Sequence, residues 1–229
     1  MPKRIYLDNN ATTPCDPIVA QRFLEILTSN FGNPSSVHQD GQQAKALLIE
    51  SKNQIASTLN VKMQEIICTS SGTEGMNLLL RGAFGFYPKG HIITSDVEHS
   101  CVYKTIKELE KAGCSVSYLK AGFYGGIKRQ QVEEAIRPDT CLIALMQVNN
   151  ETGVLSDIES IGLLALEHSV VFVVDAVACF GKAICAPCPG ISGMCFSGHK
   201  FCAPKGSAFI FVRKGSKLRP LFTGGNQEQ

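Results

Sequence analysis

Ser197-Gly198-His199-Lys200 closes a short apolar run and places an amine where α/β proteins keep their ligands, beyond a strand's carboxyl end. A lysine at a strand end inside a cavity is partly desolvated, which lowers its pKa and frees the amine to attack a carbonyl. Taken alone, the pattern also fits an ordinary solvated lysine. Asp175 directly follows the apolar run Val170-Val171-Phe172-Val173-Val174, so its carboxylate stands at the mouth of a buried strand. Such a carboxylate is costly unless a cation or several donors meet it; the plain alternative is an Asp that caps the next turn. Thr69-Ser70-Ser71-Gly72-Thr73-Glu74 gathers hydroxyls, a glycine and free N–H groups at a helix start, a cradle for a phosphate. Ser/Thr-Gly turns cap ordinary helices as well. The segment lacks both the Gly-Lys-Ser/Thr ending of a nucleotide P-loop and the dinucleotide G-x-G-x-x-G. His99, in Asp96-Val97-Glu98-His99-Ser100, could stack on a flat ligand and move protons near neutral pH. Asn149-Asn150-Glu151-Thr152-Gly153 offers an amide to an anionic oxygen.

These clusters each follow an apolar run. The runs Ile66–Thr69, His91–Ser95, Ser115–Leu119, Cys141–Met146, Val170–Val174, Met194–Phe196 and Ala208–Val212 read as strands. Helical spacing fills about 74–84, 101–112, 129–136 and 157–168 between the first five. Val102, Thr105, Ile106, Leu109 and Ala112 form one such face. The run from Val170 to Val174 is apolar on both alternations, as a strand covered on both faces should be. Serial strand–helix–strand units predict a mainly parallel sheet with right-handed crossovers and helices on both faces. Ala44, Leu47, Leu48, Ile55 and Leu59 predict a long helix near 40–59. The expected organisation is an N-terminal segment over 1–15 and one large domain over 16–229. The ending, Thr223-Gly224-Gly225-Asn226-Gln227-Glu228-Gln229, reads as a glycine-rich loop at the edge of a larger architecture.

With 22 basic and 20 acidic side chains the charge is nearly balanced, and no basic stripe speaks for nucleic acid. No apolar run is long enough to cross a bilayer. Ten cysteines are scattered along the chain, and Met-Pro-Lys-Arg at the start does not resemble a leader. The expectation is therefore free thiols in a reducing compartment, the cytoplasm. Cys185-Ala186-Pro187-Cys188 is a C-x-x-C without a second ligand pair, which reads as a cysteine-rich loop rather than a metal site. A hydrolase with a metal held by His99, Asp175 and His199 is the competing enzyme class, and no metal is expected.

An amine, a buried carboxylate, a phosphate cradle and a stacking imidazole after successive strands match the needs of one cofactor, pyridoxal 5′-phosphate. Its ring nitrogen stays protonated beside a carboxylate, which strengthens the ring as an electron sink. In the same places the sequence resembles the cysteine desulfurases of the class V aminotransferase group, with the type I pyridoxal-phosphate fold. Tyr6-Leu7-Asp8-Asn9-Asn10-Ala11-Thr12-Thr13-Pro14, Phe31-Gly32-Asn33-Pro34-Ser35-Ser36-Val37-His38, Ser71-Gly72-Thr73-Glu74, Glu98-His99, Asn149-Asn150-Glu151-Thr152-Gly153, Val174-Asp175-Ala176 and Ser197-Gly198-His199-Lys200-Phe201 occur in family order. The resemblance implies that Lys200 carries the cofactor, Asp175 meets the ring nitrogen, and His99 stacks on the ring and transfers protons. Asn150 lies near the ring hydroxyl by the same comparison, while Gly72, Thr73, Ser197 and His199 belong to the phosphate site. It further implies L-cysteine as substrate, L-alanine as product, sulfur passed to an enzyme thiol or a sulfur-acceptor protein for iron–sulfur cluster assembly, and a homodimer.

Two departures stand out. Val174-Asp175-Ala176-Val177-Ala178 has Ala178 where the family pattern has a glutamine that holds the ring hydroxyl. The lost hydrogen bond is worth about 1–3 kcal/mol. In the family, the sulfur-accepting cysteine, the substrate-carboxylate arginine and a small C-terminal domain lie beyond the equivalent of residue 229, so a C-terminally truncated relative is expected. The alternatives are an inactive, degenerate fragment that acts by binding, and a selenocysteine lyase-like enzyme on the same scaffold.

Overall fold

The computed structural model describes residues 5–123 and 125–225. Met1–Arg4, Tyr124 and the closing Asn226–Gln229 of the glycine-rich run lie outside the described residues.

Seven strands form one sheet: β1 Ile66–Thr69, β2 His91–Ser95, β3 Ser115–Leu119, β4 Thr140–Met146, β5 Val171–Asp175, β6 Gly193–Ser197 and β7 Ala208–Val212. Their order is β1-β7-β6-β5-β4-β2-β3. Pairs β3–β2, β2–β4, β4–β5 and β5–β6 are parallel, whereas β7 runs antiparallel to both β6 and β1. The mainly parallel sheet predicted from the alternating pattern is therefore present, with a single reversed strand. The first unit does not make neighbours, however. β1 lies at the far edge against β7, because the segment after β6 returns as a reversed strand and separates β1 from the rest.

The helices are α1 Pro17–Ser29, α2 Gln39–Leu59, α3 Gly72–Phe84, α4 Ser100–Lys111, α5 Arg129–Ala135 and α6 Ile158–Glu167. Strand alternation sorts the core into two layers. On β5, Phe172 and Val174 join a cluster with Ile158, Ile161 and Leu164 of α6, while Val173 joins Met76, Leu79 and Leu80 of α3 and Val102, Ile106 and Leu109 of α4. Burial on both faces explains why β5 is apolar at every position before Asp175. α3 packs tightly on the sheet: a Cβ at Gly75 would come within 2.7 Å of Cys195 Sγ and of Ile210 Cγ2. That contact seats the first turn of α3 on the middle of β6 and β7.

α1 was not expected from the apolar pattern, but its start is well specified. Asp16 accepts from the N–H of Ile18 at 2.8 Å and Pro17 occupies the first helical position. None of its residues is buried. No helix among the described residues is long and apolar enough to cross a membrane.

Candidate functional site

The carboxyl ends of β1, β2, β4, β5 and β6 surround a cavity of about 280 Å³. Lys200, Asp175, His99, Asn150, Gly72, Thr73, Ser197 and His199, all named from sequence, border it together.

Asp175 ends β5 and is buried. The one hydrogen bond seen at its carboxylate among the described residues is from the N–H of Val177 to Oδ1, at 3.0 Å. Burial raises its pKa, and that N–H with the charges of His99 and Lys200 acts in the opposite sense. A carboxylate so placed at a cavity wall favours a cationic N–H across from it. Lys200 ends the short 3-10 turn Gly198–Lys200 that follows β6. Its Nζ donates to the carbonyl of Asn10 at 2.7 Å. Desolvation, then the charge of Lys182, lowers its pKa. Such an amine reaches its neutral, nucleophilic form more readily than a surface lysine does.

The phosphate-cradle residues meet at the start of α3. Ser71 caps the helix by accepting from the N–H of Glu74 at 3.1 Å, and the N–H groups of Gly72 and Thr73 belong to the first turn, where the helix supplies no acceptor. Gly72 sits in close quarters: a Cβ there would lie 3.0 Å from Val177 Cγ2 and 3.4 Å from Ser197 Cβ. Free helical N–H groups beside the buried hydroxyl of Ser197 suit a dianion. His199 is tied to the N-terminal segment by Nδ1 and Thr12 Oγ1, 3.1 Å apart, and its carbonyl accepts from the N–H of Thr13 at 2.8 Å. Burial and then the charges of Lys200, Lys205 and Lys182 lower its pKa.

His99 caps α4: Nδ1 accepts from the N–H of Cys101 at 3.2 Å and lies 3.0 Å from the Cys101 thiol. Asn150 spends its amide N–H on Glu151 Oε1 at 2.8 Å, and its carbonyl accepts from Asn10 Nδ2. Ala178, the residue that departs from the family pattern, lies in the wall.

Three features escaped the reading of single motifs. Asn10 bridges Asn150 and Lys200: its side-chain Nδ2 donates to the carbonyl of Asn150, and its own backbone carbonyl accepts from Lys200 Nζ. Cys101 lines the cavity beside His99. Glu98 is half-buried with its carboxylate sunk behind the wall, where Ser95 Oγ and the N–H of Met146 donate to Oε1 at 2.5 and 3.1 Å, while its Oε2 is enclosed with no hydrogen-bond partner among the described residues. Burial pushes Glu98 up to about 8, although the Ser95 hydroxyl opposes the rise. In the pair Glu98-His99 the sequence pattern points to the histidine alone. No group of three or more His, Cys, Asp or Glu side chains is gathered for a metal ion among the described residues.

Residues 5–229 match the aminotransferase class-V family. The chain belongs to that family. It is 43% identical over 227 residues to cysteine desulfurase 2 of Trichormus variabilis, covering 98% of this chain and 57% of that protein. It is 41% identical to the putative cysteine desulfurase IscS 1 of Bacillus subtilis, covering 99% of this chain and 61% of that one. Among solved structures, SspA in complex with cysteine superposes with a TM-score of 0.93 at 39% identity, over 98% of this chain and 66% of that one. A NifS-like protein gives 0.91 at 31% identity, over 99% and 63%. The chain thus spans about three fifths of the length of the curated relatives it matches. Pyridoxal 5′-phosphate is the cofactor of this family, and the paired demands of Asp175 for a cation and of the α3 start for an anion fit it.

Proposed function

We propose that this chain forms the cofactor-holding part of a cysteine desulfurase, which converts L-cysteine to L-alanine and passes the sulfur to a thiol. The observation that carries the proposal is that Lys200 and Asp175 border one cavity whose rim includes the start of α3. Lys200 would bond to the cofactor, with its depressed pKa favouring the neutral amine. Asp175 would hold a proton on the ring nitrogen, and burial makes that pairing strong. Gly72, Thr73, Ser197 and His199 would take the phosphate, His99 would cover the ring face and move a proton, and Asn150 would stand by the ring hydroxyl. When bound, the cofactor supplies an electron sink for the substrate's Cα electrons. L-Cysteine is supported by the relatives' names and by SspA, whose structure contains cysteine.

The test is spectroscopic. Pyridoxal phosphate added to the purified chain is expected to give a visible absorption band that L-cysteine changes and that Lys200→Ala abolishes. No band, or a band indifferent to Lys200→Ala, overturns the proposal. A second reading, a relative that holds the cofactor without turnover, is favoured by Ala178 in the cavity wall. Release of alanine and sulfide from L-cysteine over many turnovers would refute it, and a preference for selenocysteine would move the substrate assignment to the lyase-like alternative.

A further inference from the structure

Beyond Asp175 the chain turns back along the cavity wall, and two thiols meet there. The N–H groups of Lys182 and Ala183 both donate to the carbonyl of Cys179, at 2.9 and 3.0 Å, with Gly181 in the left-handed region at φ +75°. This reversal brings Cys185 back toward Cys179, near enough that each thiol shifts the other's pKa. The Cys179 thiol also lies 3.5 Å from the carbonyl of Ile184, the residue before Cys185. Gln147, just beyond β4, fixes the returning strand of the loop. Its amide donates to the carbonyl of Ile184 at 2.9 Å, and its Oε1 lies 3.5 Å from the thiol of Cys185. Cys188, the other half of the C-x-x-C, turns its thiol to the carbonyl of Ile158 at 3.8 Å instead.

We propose that Cys179 and Cys185 are a redox-active dithiol, converted to an intramolecular disulfide by a low-molecular-weight disulfide such as oxidised glutathione. Their mutual influence lowers the pKa of Cys179 and raises that of Cys185, so one thiol of the pair loses its proton well before the other. That is the arrangement of an attacking thiolate beside a resolving thiol. The Cys179 thiolate attacks one sulfur of oxidised glutathione and expels one glutathione thiolate. Cys185 then loses its proton and attacks the Cys179 sulfur, expelling the second. The two protein thiols give up two electrons, and the glutathione disulfide takes them. Both cysteines are buried, but the connecting residues Gly181 to Ile184 are exposed, Ile184 at 90%. Opening this short surface loop therefore admits the reagent without unfolding the sheet.

The place of the pair gives the reaction a consequence for the cavity. Ala178, next to Cys179, lies in the cavity wall. Phe180 packs edge-on against Phe196, Phe201 and Phe209. Lys182 reaches the Asn9 carbonyl and Asn10 Oδ1, each at 3.4 Å, and Asn10 holds Lys200. A cross-link here would report thiol status to the residues around Lys200.

The experiment is peptide mapping of the full-length chain after incubation with oxidised glutathione, alkylation of remaining thiols and digestion with trypsin without reduction. Trypsin cuts after Lys182, so the expected product is a pair of peptides joined through Cys179 and Cys185, two hydrogens lighter than their sum. Cys179→Ala and Cys185→Ala are each expected to remove the joined species and leave glutathione on the remaining thiol. The proposal is overturned if Cys179 and Cys185 are recovered fully alkylated at oxidant levels that modify exposed Cys202, or if Cys185 links to Cys188. The readout needs no cofactor, so its failure is distinct from failure of the desulfurase assignment.

Discussion

Phe172 and Asp175 lie three residues apart on β5. The strand carries the first into an apolar layer where it is wholly buried, and delivers the second to a cavity wall where its carboxylate has one hydrogen bond. The same contrast runs across the sheet. Its interior is built from Ile92, Ile143, Phe172, Phe196 and Phe211, all with essentially no exposure, and every one of them lowers the free energy of the fold. Its carboxyl-end rim holds Glu98, Asp175 and Lys200, each with a pKa moved toward the neutral form by burial. The interior spends no stability on function, whereas the rim keeps ionisable groups in places where charge is unfavourable. Asp175 and Lys200 line the cavity, where a ligand of opposite charge can meet them, and the contrast can be broken at several points.

The largest expected effect is on the pH dependence of stability. The folded-state pKa of Glu98, about 8, lies above its ordinary value of 4.5, so between those limits the native state holds a proton that the unfolded state releases. Stability is therefore lost as pH rises through that window and levels off above about 8. In the limit the loss is about 5 kcal/mol, since each pKa unit is worth about 1.4 kcal/mol. Asp175, also raised, adds in the same direction. Glu98→Gln imitates the neutral acid, so urea unfolding should show it near wild type at acid pH and more stable at pH 8. A decline of equal size in both proteins would remove Glu98 from the account.

Phe172→Ala tests the interior. Removing a fully buried aromatic from a two-sided core should cost about 3–5 kcal/mol in the same unfolding experiment. A cost under about 1 kcal/mol would mean that the apolar layer is far looser than its burial implies.

Asp175→Asn should separate stability from function. The amide keeps an acceptor for the Val177 N–H and removes the buried charge, so the cofactor-free chain should gain about 1–2 kcal/mol. Pyridoxal phosphate affinity, read by visible absorbance, should fall at the same time. A variant that is less stable and binds equally well would reverse the assignment of Asp175 to the rim.

Ala178→Gln is the smallest change. The side chain would return a hydrogen-bond donor to the cavity wall, worth about 1 kcal/mol, or roughly fivefold in cofactor affinity. Unchanged affinity would show that the wall at 178 does not touch the ligand.

What could be read in advance follows the same division. The β1, β2, β3 and β7 runs match the strands to the residue, because full or partial burial leaves a direct mark on apolar spacing. β5 is shifted one residue from its apolar run, starting at Val171 rather than Val170 and ending at Asp175, since backbone pairing with Cys195 continues where the side chain has become polar. The position of β1 against β7 was not legible. That pairing joins residues such as Cys68 and Phe209, far apart in sequence, and no local pattern encodes it. α1 escaped for the opposite reason: Phe23, Leu24 and Leu27 are exposed, so the apolar spacing does not follow a buried face. Its Asp16-Pro17 start was the available signal. At the site, residues that project side chains after strands could be named singly, and their meeting at one cavity follows from the parallel sheet. Asn10 could not, because it meets Lys200 through its backbone carbonyl and reaches Asn150 from 140 residues away in the sequence.

The most direct test of the rim as a cofactor site is borohydride reduction of the chain mixed with pyridoxal phosphate, followed by peptide mapping. The account predicts one modified lysine, Lys200, with a yield that falls sharply in Asp175→Ala. Modification spread over exposed lysines, or centred on neighbouring Lys182 with Lys200 untouched, would contradict it.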